Sequence, residues 1–215
     1  MSQNISERYS VFITKEELNS LPTEKFDGKA IVVSSETTVM KAIEDLKKAP
    51  IVGFDTETKP NFKKGKMNKV ALMQLSTGNK CYLIRLSNIG LLDCLKDYLE
   101  DENYRKVGLS IKDDFLNLSK LDTFNPKGFI DLQDYVPEFK IKDSSLTKIH
   151  GIIFGKRISK SQQLSNWEAS TLNDKQKRYA ALDAVACVNI YNHLHSGAFK
   201  PEESPYYRKE DEEKV

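Results

Sequence analysis

Apolar and polar positions alternate between two rhythms along this chain, and the breaks between them outline its elements. Ala30–Val33 is a short apolar, β-branched run, which reads as a strand. Val39, Ala42, Ile43 and Leu46 then recur at helical spacing. They predict a helix from about Val39 to Lys48, with Ser34, Ser35 and Thr37 as candidate N-caps and Pro50 as the stop. Ile51-Val52-Gly53-Phe54 is too short for a helix and reads as a buried strand. Val70–Leu75 and Lys80–Leu86 are two more strands, joined by a tight turn at Ser76-Thr77-Gly78-Asn79. Leu91, Leu92, Leu95 and Leu99 predict one amphipathic helix over Ile89–Leu99. Tyr104–Leu109 and Gly128–Leu132 are strands, with a helix over Ile111–Leu121 between them. Ser144 or Ser145 caps a helix running to about Ile149, followed by a polar loop over Gly155–Gln163. A long helix is predicted over Asp174–His195, with Asn173 as N-cap, Gln176 three residues later and Gly197 as the stop. Three hairpin-linked strands followed by alternating helix and strand indicate an α/β domain, a mixed central β-sheet flanked by helices.

The strand at Ile51 ends in Asp55-Thr56-Glu57, which strand propensity does not explain. Side chains alternate along a strand, so Asp55 and Glu57 share a face, roughly 7 Å apart. Two acids at the edge of an apolar run are either a solvated strand end or part of a site for a hard cation, and oxygen ligands suit Mg²⁺ or Mn²⁺ rather than zinc. In the last helix Tyr179, Asp183, Ala186, Cys187, Ile190 and Leu194 form one stripe, which turns Asp183 toward the core and places the Tyr179 hydroxyl one turn away. At the strand-to-helix turn after Gly108, the spacing of Asp114 from Ile111 and Leu118 puts it beside the apolar face. Asp114 is therefore preferred to Asp113 as an inward acid.

The 215 residues suffice for one domain with short arms. Hydrophobic residues at 39% and charged residues at 30% fit a soluble globular protein, and no stretch is long enough to span a membrane. The net charge of +2 declares no overall basic field, so a nucleic-acid partner must be argued locally. The segment Lys59–Lys69 holds five lysines, Phe62 and no acid. It is either a solvated hairpin loop or, with Lys63, Lys64 and Lys66, a contact for a phosphate backbone. Lys160 in the later polar loop is a further candidate. Cys81, Cys94 and Cys187 are far apart and read as reduced thiols, which together with an N-terminus lacking an apolar leader implies a cytoplasmic protein. His150, His193 and His195 read as surface or helix-end residues without a role. Residues 1–28 are expected to form an arm packed on the domain, and residues 199–215 a charged, frayed tail.

Phe54-Asp55-Thr56-Glu57-Thr58, Val107-Gly108 through Asp114 and Leu118, and Tyr179-Ala180-Ala181-Leu182-Asp183 resemble the three motifs of the DEDDy 3′–5′ exonucleases. Ribonuclease D and the exonuclease domain of the Werner syndrome protein belong to that group, and the chain also resembles bacterial stand-alone exonuclease domain proteins. The similarity covers about residues 10–197, includes Ser165-Asn166-Trp167, and places the exonuclease domain at residues 29–198. It implies an RNase H-like fold. It also implies metal-dependent removal of nucleoside 5′-monophosphates from single-stranded 3′ ends of DNA or RNA, with two divalent cations, Mg²⁺ or Mn²⁺. By the same resemblance Asp55 bridges both cations, Glu57 and Asp183 complete the first site, Asp114 serves the second and Tyr179 orients the attacking water. The alternatives are a non-catalytic RNase H-like module that binds nucleic acid, and the nuclease subunit of a larger assembly.

Overall fold

The computed structural model describes residues 8–60 and 69–210. The chain forms, in order, β1 (Tyr9–Val11), α1 (Lys15–Ser20), β2 (Lys29–Val33), α2 (Glu36–Leu46), β3 (Val52–Thr58), β4 (Val70–Ser76), β5 (Lys80–Ile84), α3 (Leu86–Ile89), α4 (Asp93–Glu100), β6 (Lys106–Gly108), α5 (Ile111–Leu118), β7 (Phe129–Asp131), α6 (Leu132–Tyr135), α7 (Leu146–Phe154), α8 (Asp174–His195) and β8 (Tyr207–Lys209). Six strands make one mixed sheet in the order β2-β5-β4-β3-β6-β7. The β3–β4 and β4–β5 pairs are antiparallel hairpin partners, whereas β2, β6 and β7 join in parallel. The acid-bearing strand β3 is therefore interior, hydrogen-bonded on both sides.

Each face of the sheet has its own core, as side-chain alternation requires. Val33, Phe54, Met73, Leu75 and Ile84 meet α2, α4 and α5 on one face. Leu72, Cys81 and Leu83 meet α8 on the other. The sequence stripe understates α8, because every residue from Ala180 to Val188 is buried. Ile158, Trp167 and Leu172, from the segment that precedes it, pack in the same core. Reciprocal bonds between Asn173 and Gln176, each 3.0 Å, fix its start.

Close approach of α8 to β3 depends on one missing side chain. A Cβ on Gly53 would lie 1.9 Å from the Ala184 carbonyl oxygen. Only hydrogen fits there, and Gly53 stands two residues before Asp55 on the same face.

The structure corrects several expectations. The helix predicted over Ile89–Leu99 is two helices, α3 and α4, because Gly90 turns the chain into the left-handed region at φ +68°. The helix after Ser145 does not end near Ile149 but runs to Phe154. The segment from Lys200 is not frayed as far as it is described. A 3₁₀ turn at Pro201–Glu203 leads into β8, which pairs antiparallel with β1. Tyr9 stacks on Tyr207 at 5.4 Å and Arg208 reaches Glu17 at 3.0 Å, so the two ends hold one another over buried Val11. His150 is not at the surface. It is 3% exposed, and its Nδ1 lies 2.8 Å from the Lys156 carbonyl. Lys106 is fully buried: it donates to the carbonyls of Tyr98, Leu99 and Asp101 at 3.3, 3.3 and 2.9 Å, capping the end of α4.

Candidate active site

Three carboxylates converge where β3 emerges beneath α8. One oxygen from each of Asp55, Glu57 and Asp183 lies within 4.8 Å of the others. β3 supplies the first two from a single face, and α8 lowers the third onto them from above. Asp183 is 8% exposed and the other two are half-buried.

Asp114 stands outside this group of three. Thr56 lies between Asp55 and Glu57 and points to the opposite side of the strand, where its hydroxyl donates to the Asp114 carboxylate. The neighbouring Phe115 ring packs on Phe54 and Phe129, with centroids 6.1 and 4.8 Å away, and this pins α5 against β3. Asp113, the rejected neighbour, is exposed. Asp131, which the sequence reading passed over, orients the whole turn. Its two oxygens accept the backbone N–H groups of Ser110 and Ile111 at 2.9 and 3.0 Å. They hold Ser110 at φ +59°, a left-handed conformation unusual for serine. The signal available in the sequence was an acid at the end of a strand beside a turn, which is too common to single out.

Proximity and burial act together on these acids. Burial raises the Asp55 carboxyl well above its usual range, and the charges of Asp183, Asp114 and Glu57 raise it further. Glu57 is pushed to about 9, by burial first and then by Asp183 and Asp114. Burial brings Asp114 to about 7, against the lowering effect of the Thr56 bond. Asp183 also rises to about 7 through burial, offset by a hydrogen bond from Tyr179 and by the positive charge of Lys160. Burial and the surrounding acids raise the Tyr179 phenol, which therefore stays protonated at neutral pH. Its ring lies near-parallel to buried Trp167, 6.0 Å between centroids. Left without a counter-charge, such a cluster binds protons; a hard divalent cation would replace them, and these all-oxygen donors fit one.

A cleft of about 370 Å³ opens over the acids. Asp55, Tyr179, Asp183 and Lys160 border it, together with Gln163 and Ser145. Of the four lysines considered for nucleic acid, the structure places Lys160 at this cleft; Lys63, Lys64 and Lys66 lie outside the described residues. Among the described residues, no helix is long and apolar enough to cross a membrane.

Comparison with known proteins agrees with this geometry. The sequence model of the 3′–5′ exonuclease family matches residues 30–197, a span that holds all of the acids and Tyr179. The mouse bifunctional 3′–5′ exonuclease/ATP-dependent helicase WRN is 32% identical over 188 residues, which is 82% of this chain and 13% of that protein. An exonuclease mut-7 homolog of Aedes aegypti is 29% identical over 186 residues, 75% of this chain and 26% of that one. The chain thus spans well under a third of either relative. Among solved structures, the Aedes aegypti Nibbler EXO domain superposes with a TM-score of 0.69 at 24% identity, covering 84% of this chain and 97% of that domain. That likeness concerns the fold, which is RNase H-like. With the family model covering most of its length, the chain belongs to the 3′–5′ exonuclease family.

Proposed function

We propose that this chain is a metal-dependent nuclease that removes nucleoside 5′-monophosphates from single-stranded 3′ ends. The observation that carries the reading is the convergence of Asp55, Glu57 and Asp183 oxygens within 4.8 Å under a cleft. Asp55, Glu57 and Asp183 would hold one divalent cation, and Asp55 with Asp114 a second, each Mg²⁺ or Mn²⁺. When bound, the pair supplies Lewis acidity to a phosphodiester and to the water that attacks it.

The protein's own groups do the rest. Asp55 would present its carboxylate to the cations from β3, an interior strand hydrogen-bonded on both sides. Tyr179 keeps its proton, so its role is to align the attacking water as a hydrogen-bond donor or acceptor rather than to act as a phenolate base. Trp167 holds its ring in place. Lys160, beside Asp183, and Lys63, Lys64 and Lys66 contact the phosphate backbone. The cysteines are free thiols, which supports a reducing, cytoplasmic setting.

The test is a denaturing-gel time course with 5′-labelled single-stranded DNA and RNA of equal sequence, in Mg²⁺, Mn²⁺ or EDTA. A metal-dependent ladder shortening from the 3′ end is expected, abolished by Asp55→Ala in a folded protein. Retained binding without cleavage in either metal would leave a nucleic-acid-binding module instead. Cleavage that survives Asp55→Ala would remove the acid cluster from the chemistry.

A further inference from the structure

Beside Asp55 lies a polar side chain that the fold leaves without a partner. Gln74, on β4, is 0% exposed, and neither its amide nitrogen nor its amide oxygen makes a hydrogen bond. Burying an unpaired amide is unfavourable, and buried side-chain amides in folded proteins are overwhelmingly paired. The strand around Gln74 is otherwise built for packing, since all seven residues of β4 are buried.

Sheet register shows where the amide points. Gln74 is directly opposite Asp55 on β3 and directly opposite Leu83 on β5. Opposed residues of an antiparallel pair share a face, with Cβ atoms about 4.5–5.5 Å apart. That face is the one beneath α8, because Gly53, two residues before Asp55, abuts Ala184. Leu83 offers nothing to an amide. Leu72, two residues along β4, is apolar, and the Ser76 hydroxyl is already engaged with the Lys80 carbonyl and the Gly78 N–H. Of the side chains set directly across from Gln74, Asp55 is the polar one.

We infer that Gln74 is a positioning residue for Asp55, its amide N–H donating to the carboxylate oxygen turned away from the acid cluster when that carboxylate holds a cation. The inference rests on the proposed metal site and deepens it. A carboxylate that is to hold a cation must present its oxygens in a fixed plane. A donor from the neighbouring strand sets that plane without adding charge, whereas a lysine there would cancel the charge the cations need.

The experiment compares wild-type protein with Gln74→Met, which keeps the volume and removes the amide. Melting is followed in EDTA and in Mn²⁺, and Mn²⁺ affinity is measured by titration calorimetry. We expect Gln74→Met to melt at or above wild type in EDTA, because an unpaired group has gone. It should also bind Mn²⁺ about tenfold more weakly and gain correspondingly less stability from it. Should Gln74→Met fail to fold, Gln74→Asn takes its place. It retains an amide but draws it back by one methylene, and the same weakening of Mn²⁺ binding is expected. A folded variant that binds Mn²⁺ as tightly as wild type overturns the role of Gln74 alone. Wild-type protein that binds no Mn²⁺ overturns the proposed function, and this inference with it.

Discussion

At the scale of single residues, the site is a group of acids in conflict. Asp55, Glu57, Asp114 and Asp183 all have carboxyls raised above their ordinary range, so the folded protein holds protons that the unfolded chain has released. The sign follows from linkage. The associated stability is fully present below the unfolded carboxylate values, about 4. It is lost as pH rises through about 7 for Asp114 and Asp183 and about 9 for Glu57. In EDTA the melting temperature should therefore fall as the pH is raised from about 5 to about 9, and Mg²⁺ should restore it most at the alkaline end. A melting temperature in EDTA that is flat or rises across that range would show that the acids are not coupled as their positions require. Sequence reasoning reached Asp55, Glu57, Asp114 and Asp183 because each breaks a local rule, an acid on a strand or an acid on a helix's apolar side, and it reached Tyr179 because that residue lies one turn before Asp183 on the same stripe. It passed over Gln74 and Asp131, whose meaning depends on what lies across a strand pair or above a turn.

At the scale of elements, the site depends on how closely α8 lies on β3. Gly53 permits that approach, since a methyl group there would meet the Ala184 carbonyl at 1.9 Å. Gly53→Ala should lower stability by about 3 kcal/mol or more and should reduce metal-dependent cleavage with it, because Asp183 rides on the displaced helix. Gly90 is the control. Its φ of +68° strains any other residue, but an added Cβ meets nothing within 4 Å. Gly90→Ala should lower stability by about 1–3 kcal/mol and leave activity unchanged. Chemical denaturation and cleavage rates on both variants check the pair, and equal activity losses would disprove the argument. Gly90 also explains why one predicted helix became two. Leu91, Leu92, Leu95 and Leu99 keep helical spacing, but spacing cannot register a glycine that leaves the helical region just before them.

At the scale of the whole molecule, the two ends close the fold. β1 and β8 come from opposite ends of the described chain and form a separate two-stranded sheet over Val11 and Ile13. Ending the chain at Ala198 removes β8, the Tyr9–Tyr207 stack and the Arg208–Glu17 pair. That truncation should lower stability by about 2 kcal/mol or more, seen as a lower melting temperature. An unchanged melting temperature would return the segment to the frayed tail that its acidic, proline-bearing composition suggests. Composition misleads here because the contacts that order the segment come from residues about 190 positions away in sequence.

The sequence by itself determined the order and kind of most elements, the limits of α8, and the buried character of the acid-bearing strand. These rest on local causes: side-chain period, caps, and the breakers proline and glycine. It also carried the acids and tyrosine of the candidate site, since chemistry out of keeping with its local surroundings is visible in one dimension. Tertiary structure alone decided which acids meet. Asp183 joins Asp55 and Glu57, while Asp114 is held through Thr56 from the other side of the strand. It decided equally that Gln74 faces Asp55 and that β8 finds β1. Each of these is a pairing across distant segments, and register and helix approach, which no local pattern encodes, set it.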